Sequence, residues 1–293
     1  MKASPMTVKT TVVSHIGCVR KNNEDNFFLN GDYMLANEVD AGAQVELVSD
    51  DPQQIYAICD GMGGLNGGER AALIAIEAMG ELTKRQEKGK IASAIRHYAD
   101  KASQLVYEDG QHSGSKKQGS TMCMLMIHDN IGYVANVGDS RVYIVRMGEL
   151  VQVSYDHTDV YRMMMQGRLS REQARIHPQG NVISHYIGQP KEKRGTDFAY
   201  YRSLLLCNGD RFMLCSDGLS DLLTHEQIQH VLTTTRSSSE ATEKLISMAL
   251  ELGGKDNVTC MVGDIVGQSL PAQTKDTLAA LTTQLEKTEE MTS

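Results

Sequence analysis

The run Ile55-Tyr56-Ala57-Ile58-Cys59, followed at once by Asp60-Gly61-Met62-Gly63-Gly64, decides how the rest of the chain is read. A short apolar run containing β-branched residues predicts a buried strand, and the glycines behind it let the backbone turn tightly where the strand ends. An acid therefore stands at the rim of a core. The arrangement recurs: Asp217 follows Phe212–Cys215 with only Ser216 between, Asp139 follows Tyr133–Val137 with only Gly138 between, and Asp256 stands just before Val258–Val262. Carboxylates at the ends of buried strands converge on one edge of the core, where their repulsion must be offset by bound cations. A lone Asp-Gly after a strand is more often an ordinary turn than a ligand. Its repetition at several strand ends is what singles these acids out.

All-oxygen ligands favour hard ions, Mg²⁺ or Mn²⁺, over zinc. Gly61 is the candidate carbonyl ligand, because its turn can bring a backbone oxygen within reach of an ion.

Working outward, further β-type runs lie at Thr11–Ser14, Thr121–Ile127, Val142–Val145 and Leu150–Val153. Arg146-Met147-Gly148-Glu149 joins the last two as a hairpin, hence antiparallel. Helical patterns run over Glu69–Arg85, with Ala71, Ile74, Ala75, Ala78 and Leu82 on one face, and over Lys90–Tyr107, with Ile91, Ala94, Ile95, Tyr98, Ala102 and Leu105. A second pair opens at Thr224 with Gln227 and at Ser237 with Glu240, both fitting the capping box, and Gly253-Gly254 ends it. Grouped strands interrupted by paired helices predict an α+β fold of antiparallel sheets with helices outside. Thr158–Gln189 reads as a helical, Met-rich, basic excursion, a flap spanning about residues 156–190. Asn37–Pro52 reads as a loop or a partner surface. Beyond Val266 the polar composition and the weak stripe of Leu278, Leu281 and Leu285 predict a loosely held tail, residues 267–293, after a domain covering 1–266.

The chain has 293 residues, with 41% hydrophobic and 23% charged, enough for a large buried core. A net charge of −8 argues against partners recognised by neutralising phosphates, so no nucleic acid and no anionic membrane surface is expected. No apolar stretch has the length of a membrane span or the form of a signal peptide, which makes the cytoplasm the default location. The six cysteines lie mostly in apolar runs without a Cys-x-x-Cys pair and read as reduced core residues.

Two rival chemistries fail on spacing. A thiolate phosphatase needs an arginine six residues after its cysteine, and neither Cys59 nor Cys215 has one. A phosphate-binding loop over Gly61–Gly68 lacks the Gly-Lys-Ser/Thr ending, and Asp60 would repel phosphate.

Taken in order, Arg20-Lys21-Asn22-Asn23-Glu24-Asp25, Asp60-Gly61-Met62-Gly63-Gly64, Gly119-Ser120-Thr121, Val137-Gly138-Asp139-Ser140-Arg141, Ser216-Asp217-Gly218 and Asp256-Asn257 resemble the motifs of type 2C (PPM) protein phosphatases, over about Thr10 to Val266. The resemblance implies a four-layer α-β-β-α sandwich, two central antiparallel sheets flanked by helix pairs. It implies a serine/threonine phosphoprotein phosphatase that hydrolyses phosphomonoesters with a water activated by two ions, acts on phosphoserine and phosphothreonine proteins, and opposes a cognate kinase. By position, Asp60 would bridge two ions with Gly61 lending its carbonyl to one, and Asp217 and Asp256 would hold the other. Glu24 and Asp25 would order waters around the ions, Asn257 would support them from behind, and Arg20 would clamp the substrate phosphate. The alternative for Arg20 is a surface ion pair with Glu24 or Asp25. Asp139, with Asp217, matches the position of a third, weaker ion in bacterial members. Met62 stands where many eukaryotic members carry a histidine, and bacterial members often have Met there. His157 is read as structural or flap-positioning. The alternative from another class is a pseudophosphatase that keeps the fold as a binding module.

Overall fold

The computed structural model describes residues 6–35, 43–63, 67–84, 87, 89–115, 117–196 and 198–283. Its strands are β1 (Thr7–His15), β2 (Asp25–Leu29), β3 (Ala43–Ser49), β4 (Gln53–Met62), β5 (Gly119–Ser120), β6 (Met122–His128), β7 (Ile131–Val137), β8 (Arg141–Arg146), β9 (Glu149–Gln152), β10 (Tyr200–Leu205), β11 (Arg211–Cys215) and β12 (Val258–Val266). The helices are α1 (Gly67–Ala78), α2 (Ile91–Ser113), α3 (Asp159–Met165), α4 (Arg171–Arg175), α5 (Asp217–Ser220), α6 (His225–Thr234), α7 (Ser238–Glu251) and α8 (Lys275–Thr283).

One sheet has the order β3-β1-β12-β11-β8-β9, and the other β10-β7-β6-β4-β2 with β5 paired to the end of β4. Pairing is antiparallel throughout. Each sheet is covered on both faces, so its central strands are apolar at nearly every position rather than at alternate ones. β6 shows the consequence of a period of two: Cys123, Leu125 and Ile127 enter the core between the sheets, while Met122, Met124 and Met126 enter a second core against α1 and α2. A third core joins the outer face of the first sheet to α6 and α7 through Met213, Cys215, Cys260, Val262, Val231 and Leu245. These are the four layers α, β, β and α that the motifs imply.

Local chemistry sets the helix ends. Thr224 and Gln227 form a complete capping box. Ser237 caps α7 through the Glu240 N–H, but the Glu240 carboxylate accepts from Arg236 N–H rather than Ser237. α1 gives way at Met79–Glu81 to a 3₁₀ turn around Gly80, a poor helix former. The pattern in Lys90–Tyr107 runs further than expected, to Ser113, and stops at Gly114 with φ +81°, the left-handed residue that commonly ends a helix. Leu105 faces out rather than into the core.

Three expectations are corrected. Thr158–Gln189 is not mainly helical: α3 and α4 are short, Gly167 with φ +69° follows the first, and bridges at Thr158–Ile183 and Ser120–Ile187 tie the segment down. Within Asn37–Pro52, residues 37–42 lie outside the described residues, and Ala43–Ser49 is an edge strand on β1. The tail is not loosely held as far as Thr283. Leu270 and Leu281 are buried in the core between the sheets, with Leu278 against it, while Leu285 lies outside the described residues. The tail's anchor is Arg146, 2% exposed, which pairs with Asp210 through two hydrogen bonds of 2.9 and 2.5 Å and donates to the Thr277 carbonyl at 2.8 Å. Arg202 donates to the Leu281 carbonyl. The cysteines are unbridged, and all except exposed Cys18 are buried.

A carboxylate cluster as the candidate active site

The ends of β4, β7 and β11 and the starts of β2 and β12 meet at one edge of the sandwich. Antiparallel register puts Asp25 directly opposite Asp60, an arrangement of like charges that costs stability on its own. Asp60 is anchored by its backbone: its N–H donates to Thr121 Oγ1 at 3.0 Å, and its carbonyl accepts from Thr121 N–H and Ser120 Oγ. Thr121 Oγ1 in turn meets Ser140 Oγ at 2.7 Å, beside Asp139. Gly61 N–H donates to the Glu24 carbonyl at 3.1 Å. A Cβ on Gly61 would lie 2.1 Å from the Gly68 carbonyl oxygen and 2.7 Å from that of Glu24, so only glycine lets three backbone segments meet here.

The loop before β12 closes the cluster. Asn257 accepts from the Glu24 N–H through Oδ1 and donates through Nδ2 to the Ile16 and Asn22 carbonyls. Arg20 donates to Asp256 at 2.6 Å, with 48% of its side chain exposed. Arg20 is therefore paired, but with Asp256 rather than with Glu24 or Asp25. Asp25 is 1% exposed and accepts from Ser216 Oγ at 2.8 Å.

The electrostatics are those of acids forced together. Burial, then the charges of Asp25, Asp217 and Asp139, hold the Asp60 carboxyl well above the usual carboxylate range. Asp139 is raised in the same way by burial, then Asp217 and Asp156. Burial with Asp221 and Asp256 pushes Asp217 up to about 6, and burial lifts Asp25 to about 7 against the pull of Thr259 and Ser216. Burial raises Glu24 while Arg20 opposes it. Glu24, Asp25, Asp60, Asp139 and Asp217 thus each feel at least one other acid of the group.

Whether divalent ions suit this group can be judged from its oxygens. Asp25 Oδ1 and Asp217 Oδ1 are buried without a hydrogen-bond partner, a costly state for a carboxylate. The donors are carboxylates and a carbonyl, the set that Mg²⁺ and Mn²⁺ prefer. Among the described residues no three His, Cys, Asp or Glu side chains are already closed around a point that could hold an ion. The orphaned oxygens and the donor chemistry fit hard cations.

Sequence reasoning passed over Asp221, which acts on both Asp217 and Asp139. Its signal was the spacing Asp217-x-x-x-Asp221 at a short helix, which stacks two side chains on one face. Arg141, quoted within a motif but given no role of its own, pairs through its guanidinium with buried Asp156 at 2.7 Å.

A family model described as protein phosphatase 2C matches residues 40–252. The chain belongs to that family. Among its protein phosphatase 2C relatives, protein phosphatase PhpP of Streptococcus pneumoniae is 32% identical over 257 residues, 86% of this chain and 95% of that protein. The crystal structure of the Mycobacterium tuberculosis serine/threonine phosphatase PstP/Ppp superposes with a TM-score of 0.74 at 28% identity, covering 89% of this chain and 99% of that one. A structure of the PstP catalytic domain in complex with two manganese ions gives a TM-score of 0.71 at 26% identity, with coverage of 89% and 99%. The described fold is that of these two solved phosphatase structures.

Proposed function

We propose that the chain is a metal-dependent serine/threonine phosphoprotein phosphatase that works through the carboxylate cluster. The observation that carries this reading is the meeting of Asp60 with Asp25, Asp139 and Asp217, with two orphaned carboxylate oxygens and Arg20 at the rim. Asp60, the Gly61 carbonyl, Asp217 and Asp256 would hold two Mn²⁺ or Mg²⁺ ions, Asp139 a third with Asp217, and Glu24 would contribute beside Gly61. When bound, such ions supply a water of lowered pKa and positive charge at the phosphoryl oxygens.

The chain's own groups do the rest. Arg20 offers a planar fork of N–H donors that matches two phosphate oxygens, and its pairing with Asp256 holds it at the cluster. Thr121 and Ser120 fix the Asp60 backbone, so the carboxylate is held in place before substrate arrives. Asp25 has one oxygen tied to Ser216, leaving the other to accept a hydrogen bond within the site. Asn257 fastens the Glu24 backbone to the β12 loop.

The substrates are phosphoserine and phosphothreonine proteins, including those of a cognate kinase, and residues 156–190 act as a flap beside the site. No described helix is long and apolar enough to cross a membrane, which is compatible with a cytoplasmic setting. No observation favours a pseudophosphatase, since every acid the chemistry needs is present. The test is release of phosphate from a phosphothreonine peptide with Mn²⁺, with and without chelator. Activity that chelation abolishes is expected, and no release from any phosphoserine or phosphothreonine substrate would refute the reading.

A further inference from the structure

One residue grips the turn that carries Asp139 from two sides. His157 N–H donates to the Gly138 carbonyl at 2.9 Å, and Gly138 N–H donates to His157 Nδ1 at 3.0 Å. Gly138 has φ +95°, and a Cβ there would lie 2.7 Å from Thr121 Cγ2, so the turn has no room to shift inward. The neighbouring Asp156 holds the far end of the same turn through Arg141. On its other side His157 engages residues 183–185: its carbonyl accepts from Ser184 N–H at 2.8 Å and from Ser184 Oγ at 3.1 Å, and its ring stands edge-on to His185 at 5.1 Å. His157 is 7% exposed.

An imidazole that accepts an N–H at Nδ1 carries its own proton on Nε2. The acceptor is therefore one specific atom, which separates a hydrogen-bonding role from mere filling of space. The grip also reaches Asp60, because the turn's Ser140 Oγ meets Thr121 Oγ1, which accepts the Asp60 N–H.

We propose that His157 is a positioning residue for the phosphatase reaction: through Nδ1 and its backbone it sets the Gly138–Asp139 turn and residues 183–185 of the flap segment as one unit. The inference rests on the reading of the carboxylate cluster as the reaction centre. It makes the placement of the Asp139 carboxylate and the seating of the flap segment a single event, with the histidine touching neither substrate nor ion.

Three variants test it. His157→Asn keeps an acceptor near the place of Nδ1, His157→Gln puts its acceptor near the place of Nε2, and His157→Ala removes both. Two readouts are compared: tryptic cleavage of the folded protein after Arg168, Arg171 and Arg175, and the Mn²⁺ concentration giving half-maximal activity, with kcat and KM separated. His157→Ala and His157→Gln are expected to speed cleavage and to raise the Mn²⁺ requirement about ten-fold, the lower end for residues that orient a ligand. His157→Asn is expected to stay near wild type on both. Loss in the Asn variant equal to that in the Gln variant, or no change in either, overturns the proposal. Should the Ala variant fail to fold by circular dichroism, the Asn and Gln pair still decides. A wild-type protein without Mn²⁺-dependent activity would overturn the proposed function instead, and the cleavage rates would still judge the grip.

Discussion

The two ends of the sandwich bury charge in opposite ways. At one end Arg146 and Asp210 neutralise each other, and the Thr277, Leu205 and Cys207 backbone groups use up their remaining hydrogen-bonding capacity. At the other end Asp25, Asp60, Asp139 and Asp217 repel one another, and two carboxylate oxygens have no partner. A satisfied buried charge holds the fold together, whereas an unsatisfied one stores a preference for whatever cation arrives.

That contrast can be broken most sharply at Asp60. Asp60→Asn should lower kcat/KM by more than the roughly 10- to 100-fold typical of residues that only support a ligand, while the Tm without metal stays level or rises because a repelled charge is gone. Retained phosphopeptide hydrolysis would remove the proposed mechanism. The reverse is expected of Asp210→Ala, which strands Arg146: urea unfolding should show a loss of about 3–5 kcal/mol, with kcat/KM at low temperature little changed. Leu281→Ala should cost about 2–3 kcal/mol if α8 is as firmly seated as its 2% exposure implies. A near-zero loss would return the tail to a loose appendage.

The smallest effect is a dependence on pH. Asp217 and Asp25 are raised in the folded state to about 6 and about 7, so the folded protein binds more protons than the unfolded chain between their ordinary values and those figures. Their contribution is fully present below about pH 4 and is lost as pH climbs through 6 and 7. With chelator, scanning fluorimetry should give a Tm at pH 8 lower by a few degrees than at pH 5.5, and Mn²⁺ should narrow the gap by stabilising the pH 8 sample more. A Tm that rises with pH under chelator would contradict the electrostatic reading of the cluster.

Much of this was legible because strand ends are local events. An apolar run that stops at Asp60 or just short of Asp217 marks a rim wherever the strand lies in the sheet, so the acids could be found before their neighbours were known, although β4 does not turn at Asp60 as expected but continues to Met62. Strands with weaker local signals were missed. β2 opens with Asp25 and Asn26, which read as loop although register buries both against β4. β3 and β10 lie at sheet edges, where outward positions such as Gln44, Glu46 and Ser203 dilute the apolar pattern. α8 was discounted because Leu278, Leu281 and Leu285 offer only a weak stripe, although Leu281 is buried and Leu278 packs against the core. Their burial depends on Arg146 and Arg202 holding α8 carbonyls, long-range contacts that no local window contains. The two-sided grip of His157 was hidden for the same reason.

The pairing of β1 with β12, from Thr7 opposite Val266 to His15 opposite Val258, has a temporal consequence. β12 is synthesised long after β1, so the sheet that carries Asp217 cannot close until the chain has been made through Val266. A nascent polypeptide already bearing Asp60 still lacks Asp256 and Asn257, and such distant pairings form slowly. A nascent chain is thus inert toward phosphoproteins until β12 has been threaded between β1 and β11.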